Sequence, residues 1–341
     1  MAPALAFLCA GVPLAELLDR LGFFDSVATA VARRRSSVAV GTLWVLAALT
    51  TALLNLDTTV VLLTPLYVRL ARRAGIDPLP LAIVPLLLAS FASSVLPVSN
   101  LTTLIAVDRL HLSVGDVVSH LALPSVAACT VGWLRYRRRY PTRLTSGPPA
   151  EPDRRALTIG SLVVAGLLIG FVVGPSFGVA AWMVAVAADL VLVVVTRHLP
   201  WRAVPLLTAL GIAVLAAVAA LLVPPDAFRG PLAADDPVAL LGIAGAGAAA
   251  ANLVNNLPAL LVALDGVRHA TWGLWAWLVG INTGAALLPI GALANLLWWR
   301  VLRDEGVSVP LRQYVRITVP IVLPALAAAA ATLALERIVL G

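Results

Sequence analysis

The sequence predicts an all-α polytopic membrane protein. It should comprise two inverted-topology repeats, each with a re-entrant hairpin and a broken transmembrane helix, and about 8 crossings in all. Three observations lead there. Of the 341 residues, 61% are hydrophobic and 12% charged, whereas a soluble domain averages about 45–50% apolar and about 25% charged. All 24 basic residues are arginines, clustered between apolar runs as in the cytoplasmic loops of a membrane protein. Finally, LPVSNLTTLI at 96–105 and LPIGALANLL at 288–297 interrupt two strongly apolar stretches in the same way.

The first run, 3–18, has no basic residues ahead of it, so it reads as a short membrane helix rather than a cleaved leader. GFFDSVATAVARRR at 22–35 reads as an amphipathic helix lying at the interface. Arginine clusters at 33–35 and 69–73 flank a segment whose middle is LLNLDTT. If both clusters are cytoplasmic, 36–68 enters and leaves on one side, as a hairpin with its tip near Asn55 and Asp57. Residues 79–110 cross outward, broken at 97–100, and 119–134 returns. The loop 135–155, rich in Arg, Pro and Gly, then divides a first repeat, 1–134, from a second, 156–341.

The second half runs through 156–173, 178–196 and 203–223 as crossings. A hairpin over 237–268 follows, its tip at Asn252, Asn255 and Asn256. Residues 272–303 form a crossing broken at Pro289 and Gly291, and 315–335 closes the half. Three crossings precede this hairpin against one before the first, which predicts two helices fewer at the N-terminus. Trp272, Trp275, Trp277, Trp298 and Trp299 read as interfacial anchors.

Breaking a helix in lipid leaves N–H and C=O groups that protein, water or solute must satisfy. The helix starting after a break offers N–H groups and a partial positive charge, suited to an anion or a neutral oxygen-rich solute. Ser99, Asn100, Thr102, Thr103 and Asn295 add neutral hydrogen-bonding groups. Asp57 is the sharpest single residue. A membrane-embedded carboxylate is costly unless paired, hydrated or protonated, which points to a proton- or cation-coupling role. It also suits the start of the helix TTVVLL as a cap.

The net charge of +7 does not indicate nucleic acid, because the arginines sit in loops between apolar runs. Cys9 and Cys129 lie in apolar segments with no metal-ligand spacing. There is no Ser–His–Asp arrangement and no phosphate-binding loop, so neither an enzyme nor a cofactor is expected.

The run TALLNLDTTVVLLTPLYVRLARRAGIDPLPL at 51–81 resembles the arsenical pump membrane protein family. So do ANLVNNLPALL at 251–261 and GINTGAALLPIGALANLLWWRVLRDEGV at 280–307. That family lies within the ion transporter superfamily, beside citrate and dicarboxylate carriers and sodium/proton antiporters. The resemblance implies export of arsenite and antimonite across the inner, cytoplasmic membrane, driven by inward proton movement. It also implies a homodimer with an elevator-like motion, and allows a soluble ATPase subunit as partner. The alternative is an organic-anion carrier or sodium/proton antiporter of the same superfamily. Onto this chain the resemblance places the site at Asn55, Asp57, Thr58, Thr59 and Thr64, with Pro65. It continues through Pro97, Ser99, Asn100 and Thr103, then Asn255, Asn256 and Pro258, and ends at Asn282, Thr283, Pro289, Gly291 and Asn295.

Overall fold

The computed structural model describes residues 2–33, 37–140, 143–145 and 151–340, with interruptions between 202 and 226. The expected 203–223 crossing lies largely outside the described residues. Helices dominate: α1 (Ala2–Arg20), α2 (Phe23–Arg33), α3 (Val40–Leu53), α4 (Leu56–Arg73), α5 (Leu79–Phe91), α6 (Leu101–Leu110) and α7 (Val114–Tyr136). Next come α8 (Arg154–Val173), α9 (Ala181–Thr196), α10 (Pro237–Val254), α11 (Asn256–Asp265), α12 (Trp272–Thr283), α13 (Leu293–Asp304) and α14 (Leu311–Leu340). Two three-residue strands that the sequence did not suggest, Ser37–Ala39 and Arg143–Thr145, pair antiparallel and tie the basic loop to the start of the first hairpin. Among the described residues, four helices are long and apolar enough to cross a bilayer: 114–136, 154–171, 237–254 and 311–340.

One order of elements occurs twice: hairpin (α3/α4, α10/α11), broken helix (α5/α6, α12/α13), long closing helix (α7, α14). The two breaks are built alike. Leu96 and Leu288 have φ/ψ of −126/149 and −125/155, the extended conformation imposed on a residue before proline. Each is followed by a 3₁₀ turn, Pro97–Ser99 or Pro289–Gly291. Asn100 and Ala292 then return to extended backbone at −145/129 and −148/157 before the next helix begins. Both breaks start earlier than the prolines suggested, because α5 ends at Phe91 and α12 at Thr283.

Helix lengths fix where the breaks lie. α4 packs along α13, and α6 packs against α11. Arg69 and Arg72, near the C-terminal end of α4, pair with Glu305 beyond α13 at 3.4 and 3.5 Å. Arg109 near the end of α6 pairs with Asp265 at the end of α11 at 2.9 Å. α7 leaves the second of these ends and reaches the first, where Tyr136 donates to Pro80 O at 2.7 Å. Its 23 residues span about 34 Å, so the two ion-paired ends lie on opposite sides. From the breaks, the 10 residues of α6 and the 12 of α13 reach about 15 and about 18 Å in opposite directions. Together they match a hydrocarbon core of about 30 Å. The breaks sit near the middle.

Small residues let the second half close up. A Cβ on Gly280 would fall 2.2 Å from Ala244 O, and one on Gly247 2.9 Å from Trp277 O, so α10 and α12 touch backbone to backbone. Arg135 Nε donates to Pro320 O at 3.2 Å, serving the carbonyl that Pro324 leaves without its helical donor.

Two expectations need correction. Trp298 is fully buried and donates to Ala82 O at 2.7 Å. Trp275 and Trp277 are buried too, and Trp277 donates to Ala259 O at 3.1 Å. These indoles hold helices together inside the protein rather than anchoring it at the interface. The apolar face of α2 buries Phe23 against Gly160 of α8, where a Cβ would fall 2.1 Å from the Phe23 ring.

Candidate functional site

Four helices begin at one narrow cleft. Its lining comprises Leu56 and Asp57 of α4, Asn100 and Leu101 at the start of α6, Asn256 and Leu257 of α11, and Leu293 of α13. Each hairpin tip and each break contributes one N-terminus. Such a terminus carries roughly half a positive charge, and among the described residues nothing basic stands in the lining to add to it. Asp57 is the one carboxylate there, 5% exposed, and its Oδ1 has no hydrogen-bond partner among the described residues.

The first tip turns at Leu54–Asn55. Asn55 Oδ1 accepts from Asp57 N at 2.7 Å, and Thr59 Oγ1 donates to Asn55 O at 2.9 Å. So Asn55, not Asp57, is the cap of α4, which frees the carboxylate for the cleft. Thr58 faces away, toward Gly11 O at 3.4 Å. A separate narrow cleft lies between this tip and the helices α1, α8 and α9.

The second tip is different. Asn255 takes φ 77, ψ 150, a region nearly confined to glycine that costs on the order of 1–3 kcal/mol. Its side chain offsets this twice: Nδ2 donates to Ile290 O at 2.9 Å and Oδ1 accepts from Leu257 N at 3.2 Å. Leu253 is 75% exposed, whereas Leu54 at the first tip is buried.

Side chains satisfy the second break almost atom by atom. Asn252 Nδ2 donates to Gly284 O at 2.8 Å and its Oδ1 accepts from Leu288 N at 2.7 Å. Asn295 Nδ2 serves Ala285 O and Leu288 O at 2.8 and 3.0 Å. Tyr314 and Thr318 of α14 donate to Ala286 O and Leu287 O at 3.1 and 3.2 Å. Gly291 leaves room for this bonding, since a Cβ would fall 2.0 Å from Ala285 O.

At the first break the bonding joins the two halves. Asn100 Oδ1 accepts from Thr102 N and Thr102 Oγ1 at 3.1 and 2.9 Å, and its Nδ2 donates to Ser93 Oγ at 3.0 Å. Asn282 of α12 reaches across: its Oδ1 lies 2.7 Å from Thr102 Oγ1, and its Nδ2 lies 3.0 Å from Ser94 Oγ and 3.5 Å from Thr103 Oγ1. Ser99 Oγ donates to Ala52 O at 2.5 Å.

Of the residues singled out from sequence, Asp57, Asn100 and Asn256 line the cleft. Asn55 and Asn255 cap its helices, and Pro97, Pro289 and Gly291 shape the breaks. Thr59, Ser99, Thr103, Asn282 and Asn295 hold the framework behind. Pro258 sits in the first turn of α11, and Thr283 is the buried last residue of α12. Thr64 is buried with its hydroxyl unpartnered among the described residues. The sequence placed Asn252 at the second tip, where it instead braces the break, and assigned no role to Ser93, Ser94, Tyr314 or Thr318. The available signal was a polar side chain in an apolar helix; for Tyr314 and Thr318 it was also the four-residue spacing that sets both on one face.

The sequence profile of the citrate transporter family matches residues 1–280. The arsenical pump membrane protein of Escherichia coli strain K12 is 27% identical over 373 aligned residues, covering 98% of this chain and 86% of that protein. The arsenical pump membrane protein of Yersinia enterocolitica is 27% identical over 380, with the same coverage. Among solved structures, the YdaH transporter of Alcanivorax borkumensis is similar in fold, with a TM-score of 0.57 at 16% identity, covering 97% of this chain and 84% of that one.

Proposed function

Because the chain belongs to the citrate transporter family, we propose that it exports arsenite and antimonite in exchange for protons, with the solute held where the four helix N-termini meet. It is a multi-pass membrane protein and a secondary transporter of the citrate transporter and arsenical pump type. We read its two halves as inverted repeats, 1–134 and 156–341, joined by the basic loop 135–155, with the arginine-rich side cytoplasmic.

One observation carries the choice of solute. The cleft offers a single unpartnered carboxylate, two asparagine side chains and helix N-termini, with no cationic side chain. A trihydroxy solute such as arsenite can donate O–H to Asp57 and accept from peptide N–H groups. Asp57 then carries the proton inward after the solute leaves. The names of the relatives support the same solute. The second reading, an organic-anion carrier, is favoured by the four converging N-termini, which suit a carboxylate; against it, an ionised Asp57 would repel one.

Everted vesicles separate the two. Arsenite uptake driven by an imposed pH gradient and abolished by a protonophore is the expected result. Uptake of citrate but not arsenite would replace the first reading with the second.

A further inference from the structure

The four N-termini at the cleft are not equivalent. Three are capped by an asparagine: Asn55 Oδ1 accepts from Asp57 N at 2.7 Å, Asn100 Oδ1 from Thr102 N at 3.1 Å, and Asn255 Oδ1 from Leu257 N at 3.2 Å. The fourth, at α13, has Ala292, whose side chain cannot accept. The backbone there matches that of Asn100, at −148/157 against −145/129, so the geometry of a cap is present without the capping atom. Asn295 N–H turns back to Ala292 O at 3.2 Å, but the N–H groups of Leu293 and Ala294 have no acceptor within the helix, and α13 opens on the cleft at Leu293. An independent sign of a ligand stands in the same lining: Asp57 is 5% exposed and its Oδ1 is unpartnered among the described residues.

We propose that the N-terminus of α13, left open by Ala292, is the docking point for an oxygen atom of the solute, while Asp57 receives an O–H from the same molecule. The inference rests on the transport reading above and names the group that does the holding. The other three termini orient the cleft, but their asparagines already occupy one first-turn N–H each. Selectivity follows from pairing a donor edge with an acceptor: the solute must present both an acceptor oxygen and a hydroxyl. A fully deprotonated oxyanion lacks the second, and a bare cation lacks the first.

The test supplies the missing cap. Ala292→Asn reproduces the first break, and Ala292→Ser places a smaller acceptor at the same position should the buried site (1% exposed) refuse an amide. Binding of arsenite, citrate and inorganic phosphate is read from thermal stabilisation of the purified full-length protein in detergent. Hydrogen exchange on the wild type reports protection of the peptide covering 293–295. The expected result is at least a tenfold rise in the apparent dissociation constant of the bound solute in a folded capped variant, with protection of 293–295 in the wild type. The inference is overturned by wild-type affinity in either folded variant, by binding that leaves 293–295 unprotected, or by a wild type that binds none of the three. Citrate binding that depends on position 292, with arsenite inert, would sink the arsenite reading and leave the docking terminus standing.

Discussion

Replacing Asn252 with alanine tests whether the second break is stabilised by side chains rather than by solute or water. The amide makes three hydrogen bonds: Nδ2 to Ala248 O at 2.7 Å and to Gly284 O at 2.8 Å, and Oδ1 from Leu288 N at 2.7 Å. Alanine leaves the Leu288 N–H facing a methyl group, and a buried donor without a partner costs about 1–3 kcal/mol. Each of the two bonds lost from Nδ2 adds about 0.5–1.5 kcal/mol. The total is roughly 2–6 kcal/mol, with no new cavity larger than the amide itself. At about 1.4 °C per kcal/mol for a 341-residue chain, Tm should fall by at least about 3 °C. Thermal unfolding of the purified protein in detergent, with solute absent, reads this directly. A Tm within about 1 °C of the wild type would show that water can replace the amide, and that the break is not held as described.

Two further outcomes follow from single contacts. Gly280→Ala drives a Cβ to 2.2 Å from Ala244 O, whereas Gly245→Ala meets nothing within 4 Å. The first should lose most folded protein on size-exclusion chromatography and the second should not; equal behaviour would remove the backbone contact between α10 and α12. Asp57→Asn keeps Asn55 as the cap of α4 but cannot bind and release a proton, so any remaining transport in everted vesicles should ignore an imposed pH gradient, and retained dependence would place the coupling group elsewhere.

Much of this architecture was legible because lipid punishes irregular backbone. Pro97 and Pro289 in matching settings, and the polar tips around Asn55 and Asn255, could only mark places where helices stop, and four helices do start there. Which polar groups face the cleft was not legible. Ser99 and Thr103 look like ligands in sequence but serve Ala52 O and Asn282, because a break needs more hydrogen-bond partners than a small solute could provide. The tryptophans misled for a related reason. An indole near the end of an apolar run fits an interface, yet Trp298 lies where α13 crosses α5, and its N–H finds Ala82 O. Only the tertiary pairing of α13 with the first half reveals that. The missing cap at Ala292 was visible in the alignment of the breaks, but its meaning required the other three caps to be seen closed.

The distribution of contacts also says where the protein can move. The cleft is made by both halves at once: α4 lies along α13, α6 against α11, and Asn282 bonds Thr102 and Ser94 across the join. Arg72 with Glu305, and Arg109 with Asp265, close these pairs at their outer ends. Prising the halves apart would strand buried amides and hydroxyls, each at about 1–3 kcal/mol. Between the first hairpin tip and α1, the polar contact among the described residues is one long bond, Thr58 Oγ1 to Gly11 O at 3.4 Å, beside a cleft lined by Leu14, Leu54, Phe171 and Ala185. Apolar surfaces slide with little change in free energy so long as they stay covered, so the cleft-bearing helices should travel as one body past α1 and α9. Cross-linking decides it, after Cys9 and Cys129 are replaced. A short bis-maleimide joining cysteines introduced at Gly11 and Thr58 should abolish solute uptake in vesicles. The same reagent joining cysteines at Arg109 and Asp265 should leave most of it. Uptake that survives the first link, or is lost only with the second, would place the moving boundary inside the cleft-bearing unit instead.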